Sequence, residues 1–281
     1  MSKLLSKMFH LERLDSHLFR GNNQPLNGRR IFGGQLISQA LFAAGITCHK
    51  WSSHSLHAYF LWAGDVSKPI DYMVESFHNG RNFSNRRVVA SQQGRPILHL
   101  SASFHSAENG LEYQSSMPLV FPPDKLPVLA GLEKQGVRQR STEEMRVEIR
   151  PTSLRSVSKE STTSASKYWW IRLIDPLPDS HLEHQSALAY ASDFGLIGTA
   201  REIHGIGFRD PGFFTASLDH AIWFHREIRC DDWMLYAMNS TSTAVSRGFV
   251  NGQIFSRNGV LIASVAQEGL IRVRSGQTSK R

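Results

Sequence analysis

An internal repeat limits what this chain can fold into more than any other feature. Two segments read as long hydrophobic helices: FGGQLISQALFAAGI at Phe32–Ile46 and HQSALAYASDFGLIG at His184–Gly198. Gln35 matches Gln185 and Gly45 matches Gly195, both at a separation of 150. Strand-like text follows each helix, LHAYFLWAGD and PIDYMVES in the first copy, LDHAIWFHRE and DWMLYAMNS in the second. There Phe60 matches Phe224, Tyr72 matches Tyr236 and Ser76 matches Ser240, all at a separation of 164. The step from 150 to 164 assigns the second copy a longer helix-to-strand connection, containing EIHGIGFRDPG. One match would not exceed chance between two amphipathic segments. The same order of elements at near-constant offsets does.

Each copy ends in a hairpin pattern. RRVVASQQGRPILHLSASFH alternates β-branched and polar residues around a Gln-Gly turn near Gly94, and SRGFVNGQIFSRNGVLIASVAQEG does so around Asn258-Gly259. Asn-Gly between alternating runs is a strong hairpin signal, because both residues tolerate the positive φ of tight turns. One long helix followed by several antiparallel strands implies an α+β unit in which the helix covers the apolar face of the sheet. The expected division is a first unit over 1–110, a connector over 111–146 and a second unit over 147–281. Pro118, Pro122, Pro123 and Pro127 break regular structure around the connector, and Ser153–Ser166 reads as a surface loop.

Composition removes several function classes. At 41% hydrophobic and 20% charged residues, the chain has core material for an ordinary globular protein. No apolar run approaches the ~20 residues that span a bilayer, so stable membrane insertion is not expected. The opening MSKLLSKMFHLERLD is charged and lacks a signal peptide's apolar stretch. With two distant cysteines, Cys48 and Cys230, this points to reduced thiols in a cytoplasmic protein. The net charge of +8 is scattered, and its densest cluster, between Lys134 and Arg172, is mixed with acids. No basic helix, finger spacing or aromatic-interleaved strand accompanies it, which disfavours nucleic acid and leaves a weak pull on an anionic ligand.

The familiar catalytic signatures are missing: no G-x-S-x-G, no Walker loop, no H-E-x-x-H and no G-x-G-x-x-G after a strand. Thirteen histidines show no metal-ligand spacing, and neither metal nor cofactor is expected. Polar residues within apolar text remain. Asp193 is flanked by Leu188, Ala189, Tyr190, Phe194 and Leu196, where a carboxylate is costly unless paired or functional. The plainer alternative is a helix residue at the solvent edge. Ser217 opens the strand ASLDHAIWF and Gln267 closes VLIASVAQEG; each also fits an ordinary strand-end polar residue. Asp219 and His220, with Trp223 and His225, form a polar-aromatic cluster in which His220 reads as a core histidine satisfied by its neighbours.

These segments carry a family likeness. LFRG at Leu18–Gly21, RRIFGGQLISQAL, HAYFLWAGD and SNRRVVASQQG resemble the first half of the TesB-type acyl-CoA thioesterase II family; YASDFGLIGTA, ASLDHAIWFHR, DWMLY, SRGFV and VAQEG resemble its second half. The resemblance implies a double hot-dog fold and hydrolysis of fatty acyl-CoA to free fatty acid and coenzyme A. It puts the family's Y-x-S-D aspartate on Asp193, its serine or threonine two residues before D-H on Ser217, and its Q-E-G glutamine on Gln267. These three would orient and activate a water for direct attack, without a covalent intermediate. Gly33 and Gly34, at the start of the first helix, could offer unpaired amides to the oxyanion, and His57 is a further candidate there. Arg86, Arg87 and Arg247 are candidates to meet a phosphate of coenzyme A. Acyl-CoA is the expected partner, and association of chains into a homo-oligomer is expected. The chain ends Ser279-Lys280-Arg281 where peroxisomal members carry a Ser-Lys-Leu-like tripeptide, again favouring the cytoplasm. An enoyl-CoA hydratase would carry D-x-x-x-x-H, but the fifth residue after Asp193 is Gly198. A non-catalytic acyl-CoA or lipid binder is the remaining alternative.

Overall fold

Two helices with almost no solvent-facing side organise the molecule, a computed structural model that describes residues 11–23, 30–129, 145–152, 165–207 and 210–274. Most of the expected Ser153–Ser166 loop, part of the connector and the Ser279–Arg281 end lie outside the described residues. Helix α1 (Gly33–Ile46) buries all but three of its 14 residues. A helix apolar nearly all round must be covered on all sides. Helix α2 (His181–Ser192) covers one side by packing antiparallel to it. Ser38 Oγ donates to Ser186 O at 2.7 Å, and a Cβ on Gly45 would fall 2.2 Å from Leu182.

The sheet covers the rest. In the first unit β1 (Glu12–Arg13) and β2 (Leu18–Gly21) precede α1; β3 (Ser52–Phe60), β4 (Ile70–Asn79), β5 (Phe83–Gln92) and β6 (Arg95–His105) follow it. In the second, β7 (Val147–Pro151) and β8 (Ser166–Leu173) precede α2. A short helix α3 (Leu196–Glu202) comes next, followed by β9 (Phe213–Ser217), β10 (Asp219–Phe224), β11 (Met234–Ala244), β12 (Arg247–Ser256) and β13 (Leu261–Val273). One antiparallel sheet runs β1-β2-β4-β5-β6-β3-β10-β13-β12-β11-β8-β7, with β9 beside β13. Outward from the central β3–β10 pair, both arms have the same order. In that pair His57 stands opposite Ala221, residues separated by the same 164 read from the sequence. This pair therefore lies on the pseudo-two-fold axis, and the architecture is the expected α+β double hot-dog.

The turns follow their residues. Gln93 (φ 51°) and Gly94 (φ 79°) both take the left-handed conformation of a two-residue hairpin turn. At the second hairpin only Gly259 does (φ 84°), and Ser256 N–H reaches Val260 O across a three-residue loop. The helix expected over His184–Gly198 is broken. It stops at Ser192, and Gly195 turns the chain at φ 77° before α3 begins. A Cβ at Gly195 would fall 2.1 Å from the Trp169 ring, so both conformation and space require glycine. On the sheet's outer face, Met117, Val120 and Leu126 of the segment after β6 cover Trp170, Trp233, Leu235, Phe255 and Leu261. Trp170 Nε1–H donates to Phe121 O at 2.8 Å beneath them. Among the described residues no helix is long and apolar enough to cross a membrane.

Candidate active site

Antiparallel packing sets the first turn of α1 against the last turn of α2. Helix starts leave N–H groups without intrahelical partners, and the N-cap residue of α1, Phe32, has no side chain to offer them. Asp193, which ends α2 in the other unit, supplies the cap: Gly34 N–H donates to its Oδ2 at 2.8 Å. The positive end of the α1 dipole also favours a carboxylate there. Close approach explains the paired glycines. A Cβ on Gly33 would lie 2.8 Å from Asp193 Oδ2 and 3.0 Å from the Phe60 ring, and one on Gly34 would lie 2.5 Å from Tyr190 O. Gly34's amide is thus committed to Asp193 and is not the unpaired donor expected from the sequence. Gly33's amide has no partner among the described residues.

The other carboxylate oxygen leads into the sheet. Gln267 Nε2–H donates to Asp193 Oδ1 at 2.8 Å and to Ser217 Oγ at 2.9 Å. A carboxylate only accepts, so the amide orientation is forced and both its hydrogens are used. Ser217 Oγ, having accepted, has its own proton to donate. Gln267 Oε1 is buried without a partner. The β9–β13 register pairs Ser217 with Gly269, which puts Gln267 two residues further along the same strand face. Asp193 is 8% exposed, Gln267 is fully buried and Ser217 is half-buried. The solvent-edge alternative for Asp193 therefore does not hold.

Behind Asp193, Ser192 is held twice: Tyr236 Oη–H donates to its carbonyl at 2.9 Å, and the His220 ring meets its Oγ at 2.9 Å. Burial holds the His220 imidazole down at about 3. Burial, and then the charge of Asp193, push the Tyr236 phenol well above its usual range. Sequence reasoning placed His220 in the core but took it as satisfied; its Nδ1 has no partner.

Residues 137–270 match a family model described as acyl-CoA thioesterase, and residues 23–105 match one described as acyl-CoA thioesterase N-terminal domain. Acyl-CoA thioesterase 2 of Haemophilus influenzae is 39% identical over 97% of this chain and 99% of that protein. The chain belongs to the acyl-CoA thioesterase family. Among solved structures, the acyl-CoA thioesterase II TesB2 of Mycobacterium marinum superposes with a TM-score of 0.83 at 36% identity, covering 97% of this chain and 100% of that one. A hot-dog protein from Alicyclobacillus acidocaldarius, only 17% identical, shares the fold at a TM-score of 0.81, covering 98% of this chain and 100% of that one.

Several residues singled out in this thioesterase's sequence lie elsewhere. His57 points to the outer face of the sheet, edge-on to Trp223 with ring centroids 5.1 Å apart, whereas Gln267 faces the helices. Arg86 is buried, donating to Thr47 Oγ1 and to the carbonyls of Thr47, His78 and Asn85. It closes the end of α1 and has no surface to offer a phosphate. Arg87 and Arg247 are exposed, 3.9 Å from Glu75 and 2.9 Å from Glu268. A trough of about 430 Å³ flanked by Trp223, Asn239 and Asn251 lies against the sheet away from the Asp193 cluster. Among the described residues no group of three or more His, Cys, Asp or Glu side chains could hold a metal ion.

The repeat also defines a second, pseudo-equivalent position in the thioesterase. The helix offset carries Asp193 onto Ala43 and the strand offset carries Ser217 onto Ser53. His57 pairs with Ser101 as Ala221 pairs with Ala266, which carries Gln267 onto Ala102. Ala43 and Ala102 thus carry neither the carboxylate nor the amide of the other position. Gln185 occupies the Ser53 backbone instead, accepting from its N–H at 3.2 Å and donating to its carbonyl at 2.6 Å.

Proposed function

We propose that this thioesterase hydrolyses fatty acyl-CoA at the Asp193–Ser217–Gln267 cluster, by direct attack of a water that the three side chains orient. The supporting observation is a buried carboxylate linked through one amide to a hydroxyl whose proton remains to be donated. Gly34 and Gln267 each hold one oxygen of that carboxylate and so set its direction. As the water oxygen bonds to the thioester carbon, its proton passes to Asp193, and the Ser217 hydroxyl holds the water in line. The Gly33 amide meets the developing oxyanion. Collapse breaks the C–S bond, and the coenzyme A thiolate leaves with the proton taken from Asp193. Orientation of this kind can supply several kcal/mol of the barrier. A binding protein would have no use for such a set, and Gly198 stands where a hydratase would carry histidine.

On this proposal the units divide as 1–110 and 147–281 about a 111–146 connector, the second giving the three side chains and the first giving Gly33 and Gly34. We extend it to a cytoplasmic enzyme, supported by the buried free thiols of Cys48 and Cys230. We extend it also to a homo-oligomer, supported by Tyr59, Met73 and Phe77 exposed on the first unit; light scattering tests that. The central test is thiol release over acyl-CoAs of graded chain length, repeated in oxygen-18 water. Label is expected in the free acid and none in the protein. Absence of turnover on every chain length, or acyl group trapped on Ser217, overturns the proposal.

A further inference from the structure

We propose that His220 is a positioning residue for the hydrolysis: its Nε2–H and the Tyr236 phenol clamp Ser192 and so fix the aim of Asp193. This rests on Asp193 being the water-activating group. His220 touches neither Asp193 nor the place of the substrate, and acts only through the residue before Asp193.

Hydrogen accounting sets the tautomer. Ser192 Oγ donates to Ala189 O at 3.1 Å, which uses its only proton. At the 2.9 Å contact with His220 Nε2 the hydroxyl can therefore only accept, so Nε2 carries the ring proton. Nδ1 is left as a bare acceptor, buried with no partner. An unpartnered acceptor in an apolar core is a net cost that a leucine of similar size would avoid. Packing alone therefore does not account for a histidine here, and the contact its Nε2 makes with Ser192 is what sets it apart from leucine.

The surroundings narrow that role. Ser192 is the last residue of α2, and Asp193 follows as its C-cap. Tyr236 from β11 grips the Ser192 carbonyl, which belongs to the peptide leading into Asp193. His220 from β10 grips the side chain. Asp193 is thus fixed at its root by two strands and at its tip by Gly34 and Gln267. Burial keeps the imidazole neutral across the pH range of a thioester assay, so it sets no second charge beside the carboxylate. A proton relay has no path here, since Ser192 Oγ meets Ala189 O and His220 Nε2 and makes no hydrogen bond to Asp193.

The test is steady-state kinetics of the full chain with His220→Leu, His220→Asn and His220→Gln, and with Asp193→Asn in parallel. Glutamine can place its amide donor where Nε2–H stands; asparagine reaches only as far as Nδ1. A displacement of ~1 Å at a catalytic group costs on the order of 100-fold. The Leu and Asn variants should accordingly lose roughly 10- to 100-fold in kcat with KM within about twofold. Glutamine should recover most of that loss, and the acid limb of the pH profile should be unmoved in every active variant. Wild-type kcat in His220→Leu, with Asp193→Asn inactive, overturns the clamp and leaves the hydrolytic mechanism standing. Glutamine no better than asparagine at equal thermal stability reduces His220 to packing and overturns it too. A displaced acid limb would make His220 a proton-transfer group, against the proposal. Activity in Asp193→Asn would sink the underlying mechanism instead. If the Leu variant does not fold, Gln against Asn makes the same comparison.

Discussion

Replacing Asp193 with asparagine separates two tasks that the carboxylate performs. As a cap it accepts from Gly34 and Gln267; as a base, on the proposed mechanism, it takes the proton of water. Asparagine keeps one oxygen, which Gly34 N–H can still use. Its amide nitrogen would face Gln267 Nε2, a clash of two donors at a site now spanned by 2.8 Å. A half-turn of the Gln267 amide relieves it by presenting Oε1, which lacks a partner in the native protein. Ser217 then donates its own proton to Oε1, so that bond is reversed and kept. What is lost is a partner for Nε2, now buried where Oε1 had none, at about 1–3 kcal/mol, and the charge at the α1 terminus, worth about 0.3–1 kcal/mol. Asp193→Asn should therefore cost about 1.5–4 kcal/mol of stability. Asp193→Ala strands both donors, at about 1–3 kcal/mol each where water does not enter. Removing a general base costs about 100- to 10,000-fold in rate, or roughly 2.7–5.5 kcal/mol in the barrier. Chromogenic thiol release gives the rate and urea unfolding the stability. Asparagine within tenfold of wild-type turnover, or asparagine as destabilised as alanine, refutes this account of the carboxylate.

Four further outcomes are expected. Gly33→Ala puts a Cβ 2.8 Å from Asp193 Oδ2 and should lower kcat at least about tenfold with the fold intact; unchanged turnover removes Gly33 from the site. Ser217→Thr keeps the hydroxyl and should stay within about tenfold of wild type, roughly 1.4 kcal/mol, with Ser217→Ala impaired but active. A thiol burst with acyl-Ser217 would instead mean a nucleophile. Arg86→Met should lose about 1.5–3 kcal/mol in denaturant unfolding and leave KM for acyl-CoA alone; a raised KM at unchanged stability would restore a phosphate role. For His220 the folded pKa of about 3 lies below the 6.5 of the free side chain, so the unfolded chain binds the extra proton. Its contribution to stability is complete above pH 6.5 and declines toward pH 3, at up to about 1.4 kcal/mol per pH unit. Unfolding free energies measured against pH should show a shallower acid slope in His220→Gln, and equal slopes would contradict the assignment.

The repeat was legible because residues that pair across the centre of a symmetric sheet keep a constant spacing. The 164 offset in the text reappears as the His57–Ala221 pair. Asp193, Ser217 and Gln267 were recognisable through family motifs, but their environments were not. Asp193 caps a helix that begins 160 residues earlier in the chain, and no local pattern encodes such a contact. Strand alternation has a period of two and no sign, so it cannot say which neighbour points inward. Arg86 and Arg87 are adjacent and face opposite ways, one closing α1 and the other in solvent. His57 falls on the outer face for the same reason. The break at Gly195 did have a signal, a glycine late in a helical pattern, but only the Trp169 ring explains why the chain must turn there.

Joining two halves in tandem removes a constraint that binds any pair of identical chains, in which every substitution strikes both sites together. Here Ala43 and Ala102 stand where the other half keeps Asp193 and Gln267, so one position has been given over to packing. The half that gave it up is still no mere scaffold, because its helix end receives the carboxylate through Gly34. On the proposed mechanism, selection for turnover acts across the join, on Phe32–Gln35 in one half and Ser192–Gly195 in the other. A chain cut within the connector should be silent as either fragment and recover thiol release only when the two are mixed, with one working centre for each pair of fragments.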